Sequence, residues 1–156
     1  VKPGIELKNL AQHPSWSKEL VLWIGSEKSL LESIGQIKSQ TLDLLDLFDE
    51  GNLPMDEDET RLQLREALQA ELRRIPTSAD NRLILIVKSI GLLARYKVGL
   101  HPFYDWFVGS FGMAVLLLDH PGEKAEWPDE VECDGNRLTR YFIEPGMVKD
   151  IYSTQG

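Results

Sequence analysis

Cysteine is almost missing from this chain: Cys133 stands alone among 156 residues. A single thiol excludes an intramolecular disulfide and every paired-cysteine zinc motif. It fits a reducing, cytoplasmic setting. Histidine is scarce as well, with His13, His101 and His120 the full set, each followed by proline. Three histidines suffice for a zinc site, but these are spread along the chain at expected helix boundaries rather than at short helical spacing. His-Pro therefore reads as boundary chemistry, and neither a metal nor a cofactor is expected.

Positive charge is in deficit. The 17 Lys and Arg against 25 Asp and Glu leave a formal net charge of −8. Binding nucleic acid requires clustered cations that displace counterions from phosphates, and an anionic lipid surface makes the same demand. Both partners are disfavoured. Long hydrophobic runs are lacking too. The longest, "FVGSFGMAVLLL" at 107–118, covers 12 residues, whereas a membrane helix needs about 20. It reads as a buried core helix. The first residues, "VKPGIELKNL", have no signal-peptide architecture. Their start at Val suggests a processed chain or a piece of a longer protein. No Gly-rich phosphate loop, nucleophile elbow or HExxH is present. The acidic stretch around Asp49 lacks the residue order of an EF-hand.

What remains is an ordinary globular balance, 42% hydrophobic and 27% charged. Residues 1–13 show little pattern and read as an arm. In "SWSKELVLWIGS", Trp16, Leu20, Trp23 and Ile24 recur at helical spacing. A long amphipathic helix is expected next, with Leu30, Ile34, Ile37, Thr41, Leu44, Leu45 and Phe48 on its stripe. Gly51 and Pro54 end it. Asp56 and Glu59 form a capping-box arrangement before a helix with Leu64, Leu68, Leu72 and Ile75 inward. "NRLILIVKSIGLLARYKVG" is apolar on nearly every side. Its β-branched residues allow a buried strand, but its length favours a central helix. His101 and Pro102 open a further helix carrying Trp106, and Trp16, Trp23 and Trp106 read as core. In the tail, an Asp-Gly turn between short alternating runs signals a hairpin.

The expectation is a mainly α fold: a compact bundle of about five helices over 14–119, an arm over 1–13 and a small extension over 120–156 with a possible β-hairpin.

Two groups of residues suggest function. Asp43, Asp46, Asp49 and Glu50 crowd the C-terminal end of an expected helix, where negative charge opposes the dipole. Asp56, Glu57, Asp58 and Glu59 follow across a turn. Two antiparallel helices would bring both clusters to one end of the bundle. With Trp127 among acids in "AEWPDE" as an aromatic anchor, they point to a protein-protein interaction or regulatory module docking on a basic partner surface. The plainer account is a solvated face.

The second group is Arg95, His101 and Asp105. A neutral His can take a proton from a ribose hydroxyl, an Arg can stabilise the phosphorane and an Asp can hold the imidazole tautomer. The five residues between Arg95 and His101 make a spacing similar to the Arg-x(4–6)-His pattern of HEPN-type ribonucleases. That resemblance implies a metal-independent ribonuclease on a helical bundle. The plainer account is that Arg95 complements a helix C-terminus and His101 occupies a cap before Pro102. A structural helical domain of a larger enzyme is the third reading.

Overall fold

A computed structural model describes residues 2–3, 5–13, 16, 19–47, 56–75, 82–107, 112–118, 132–133, 136–137 and 141–143. It overturns the helical bundle. The chain forms a parallel sheet with helices on both faces, an α/β architecture.

The apolar runs are strands. β1 is Lys2–Pro3, β2 Glu19–Ile24, β3 Ser39–Asp43, β4 Ile84–Lys88, β5 Met113–Leu118 and β8 Tyr141–Ile143. They lie in the order β1-β8-β2-β5-β4-β3, and every pairing is parallel. Glu132–Cys133 (β6) and Asn136–Arg137 (β7) pair antiparallel as a separate ribbon. The tail beyond it re-enters the main sheet through β8, between β1 and β2.

The helices are α1 (Ile5–Gln12), α2 (Glu27–Ile34), α3 (Glu57–Arg73), α4 (Gly91–Arg95) and α5 (His101–Trp106), with a 3-10 turn at Leu44–Leu47. Alternate strand residues divide between two cores. Leu20, Leu22, Leu42, Leu85, Val87, Ala114 and Leu116 meet α3, α4 and α5. Val21, Trp23, Ile84, Ile86, Met113, Val115 and Leu117 meet α1 and α2. A strand covered on both faces is apolar at every position. That removes the alternation by which strands are usually recognised and explains why these runs imitate buried helices.

Each misreading has a local cause. Trp16, Leu20, Trp23 and Ile24 share no helical face: Trp16 and Trp23 pack with α1 and α2, Leu20 and Ile24 on the opposite side. The long helix expected after Glu27 stops at Gly35, whose φ of +66° takes the backbone out of helical geometry. Beyond it Thr41 and Leu42 alternate out and in along β3. The expected arm contains α1, with Leu7 and Ala11 buried.

Other details stand. α3 has Asp56 as its N-cap, with Leu64, Leu68 and Leu72 buried. The cap carboxylate accepts from Asp58 N at 3.0 Å, one residue earlier than the capping box predicts. α5 starts at His101, and Trp16, Trp23 and Trp106 are buried. At Gly112, with φ +154°, a Cβ would lie 2.1 Å from the Phe107 ring, so no larger residue fits there. No helix among the described residues is long and apolar enough to cross a membrane.

Candidate functional site at the strand ends

In open parallel sheets ligands meet the carboxyl ends of the strands, where the strand order reverses. Here the chain leaves β2 for the far edge, steps back through β3, β4 and β5, and reaches β8 on the other side of β2. The reversal lies between β2 and β5. Gly25 N donates to Leu118 O at 3.0 Å and ties those two ends together.

β2 enters α2 through only Gly25 and Ser26. Gly25 has φ +148°, which a side chain would oppose. Ser26 caps α2, its side chain accepting from Ser29 N at 3.1 Å. The first residue of α2, Glu27, reaches across to β3 and β4. Lys88 Nζ lies 3.3 Å from its Oε2, and Thr41 Oγ1 donates to its Oε1 at 3.4 Å.

Beside this pair, Asp43 Oδ1 accepts from Ser89 Oγ at 2.6 Å and from Leu45 N at 3.0 Å. Ser89 has φ +59°, a left-handed conformation unusual for a residue with a side chain. The strained backbone and the Ser89 hydrogen bond fix how β4 turns into α4.

The acidic residues sit at this same edge. Asp43 ends β3, and Asp46 is exposed in the 3-10 turn that follows. α3 joins two adjacent parallel strands, so it runs back against them and its N-terminus lies at their carboxyl ends. That places Asp56, Glu57, Asp58 and Glu59 there, all exposed, with α3 packed against the 3-10 turn.

Asp43 and Asp46 share an end of the fold with Asp56–Glu59, but not through two antiparallel helices. No helix C-terminus carries Asp43 and Asp46, and the acids at 56–59 favour the helix dipole at an N-terminus. Asp58 is paired with Arg61. Asp49, Glu50 and Trp127 lie outside the described residues.

The second group is less concentrated. His101 Nε2 lies 3.1 Å from Asp105 Oδ2, one turn along α5. The Arg95 guanidinium is 5.3 Å from the ring of Tyr96. His101, Asp105 and Arg95 are all exposed. His13 is exposed at the end of α1, its carbonyl accepting from Arg82; His120 lies outside the described residues. Among the described residues no three His, Cys, Asp or Glu side chains form a group able to hold a metal ion.

Sequence reasoning missed Glu27, Lys88 and Ser89. The available signal was positional: short apolar runs each end in a small or charged residue, as in "WIGS" and "IVKS".

No protein-family model matches this chain, and no curated protein does.

Proposed function

We propose that this chain is a protein-interaction or regulatory module that docks on a basic surface through the acidic edge of its sheet. One observation carries the reading. The β3–α3 connection brings Asp43 and Asp46 to the same edge as Asp56, Glu57, Asp58 and Glu59. Glu27 adds to the same field, opposed there by Lys28, Lys88 and Arg61, of which Lys88 and Arg61 already face carboxylates. Carboxylates gathered on one edge steer a cationic partner and repel an anion.

The charge balance and loop length speak against a phosphate ligand at the reversal point. Phosphate-binding loops cradle the anion with several backbone N–H groups. Here the connection is two residues long, Ser26 engages one N–H of the first turn, and Glu27 opens the helix. The ribonuclease reading loses the helical bundle that formed half of its resemblance and keeps only a sequence spacing.

The test compares the parent with a variant carrying Asp46→Asn, Glu57→Gln and Glu59→Gln. Proteins captured from the native source are purified, and their association with both forms is followed across salt concentrations. The variant should associate more slowly and with a weaker salt dependence. Equal association of every recovered protein with both forms would defeat the reading.

A further inference from the structure

The edge strand of the sheet adjoins the acidic cluster. β3 pairs only with β4 among the described residues. Ile84 N donates to Lys38 O at 2.9 Å, and Ser39 is in register with Ile84. In a parallel ladder successive residues turn their N–H and C=O groups to opposite sides. Lys38, Gln40 and Leu42 therefore bond to β4, while Ser39, Thr41 and Asp43 direct theirs away from the sheet.

An open strand edge is a template for another strand unless bulges, prolines or lysines blunt it. The sequence Ser39-Gln40-Thr41-Leu42-Asp43 contains no proline or lysine, and its one charged residue, Asp43, stands at the far end. Its far end leads directly into exposed Asp46, with Leu45 58% exposed beside it and Leu62, in α3, 54% exposed.

We infer that β3 receives an extended, basic segment of the partner as an added strand, its backbone bonding to Ser39, Thr41 and Asp43 and its cations meeting the acids at the strand end. This rests on the docking function proposed above and specifies the partner's chemistry: alternating basic and apolar residues in β conformation. Charge selects this occupant over a second copy of the chain. Each copy carries a formal net charge of −8, and two such chains repel one another across a shared strand edge.

The probe is a synthetic peptide of about seven alternating Lys and Val residues, the length of an ordinary strand, beside an equally charged peptide of alternating Lys and Pro. Amide hydrogen exchange of the parent is followed with and without each. At saturating Lys-Val peptide, exchange at Ser39, Thr41 and Asp43 should slow by roughly tenfold or more, because those N–H groups become bonded. Lys-Pro peptide should bind more weakly and leave the three amides unchanged.

Thr41→Pro removes an outward donor and should abolish binding of the Lys-Val peptide; proline is tolerated at edges where the N–H faces solvent. Should that variant unfold, Ser39→Pro at the start of the strand should weaken binding instead. If the peptide binds, responds to the Asp46, Glu57 and Glu59 neutralisations, yet leaves the three amides unprotected, docking survives and strand addition is refuted. No binding of the Lys-Val peptide overturns the inference. So does a salt-independent dimer that protects those amides without peptide.

Discussion

Ser89 Oγ donates to Asp43 Oδ1 at 2.6 Å, joining the ends of two neighbouring strands while the Ser89 backbone stays at φ +59°. The hydrogen bond opposes the conformational cost. Ser89→Ala keeps the unfavourable φ and loses the bond to a charged acceptor, so it should destabilise by about 1.5–3 kcal/mol. Ser89→Gly loses the same bond but relieves the backbone by about 1 kcal/mol, and should be the milder change. Urea melts of both variants check the order; Gly as harmful as Ala would mean that backbone strain contributes nothing there.

Ile86 lies in the middle of β4 with no solvent exposure, against the α1–α2 side of the sheet. Ile86→Asp buries a charge without a partner and should cost at least about 3 kcal/mol, enough to unfold a marginal domain. Ile90→Asp, 2% exposed at the turn after β4, should act in the same direction. Thermal melts indistinguishable from the parent for both would contradict the central position of β4.

Arg82 clamps the end of α1 to the start of β4. Its Nη2 donates to Ala11 O at 2.7 Å and to His13 O at 2.5 Å, and its guanidinium stands 4.0 Å from the Trp16 ring. Arg82→Met should destabilise by about 2–4 kcal/mol through the lost charged hydrogen bonds and the lost cation–π contact. Arg82→Lys should restore only part of this, because an ammonium does not reproduce the planar fork. Denaturant titration followed by tryptophan fluorescence reports both effects.

Replacing Glu57 and Glu59 by Gln should lower stability slightly, by about 0.3–1 kcal/mol for each acid. The direction is opposite to that expected for acids at a helix C-terminus. A melting temperature higher than the parent's would show that mutual repulsion outweighs the dipole. Any loss of partner association must be measured under conditions where the variant remains folded.

Purified protein incubated with mixed single-stranded RNAs in chelator should leave them uncut, and Arg95→Ala and His101→Ala should leave association with basic partners unchanged. Cleavage lost in both variants would restore the ribonuclease reading.

The parts of the fold legible in the sequence were those governed by local rules. The stripe of Leu64, Leu68 and Leu72 and the cap at Asp56 identify α3, because an amphipathic helix with one solvated face retains its periodicity. β4 and β5 were illegible for the opposite reason: burial on both faces leaves Ile84–Lys88 and Met113–Leu118 without alternation. The joining of Asp43 and Asp46 to Asp56–Glu59 could be anticipated because any short connection folds back. The contacts of Glu27 with Lys88 and Thr41 could not, because they depend on α2 crossing the sheet from β2 to the opposite edge.

The strand order also governs assembly of the chain. Leu22 in β2 is flanked by Leu116 on one side and Tyr141 on the other, both from far along the sequence. During synthesis β2 therefore emerges long before either neighbour and remains unpaired on both sides until β5 and β8 follow. Such distant pairings slow folding and leave apolar strand edges open to wrong partners. This domain should depend on the vectorial timing of translation, and on chaperones that shield Leu20–Ile24, more than its modest length suggests.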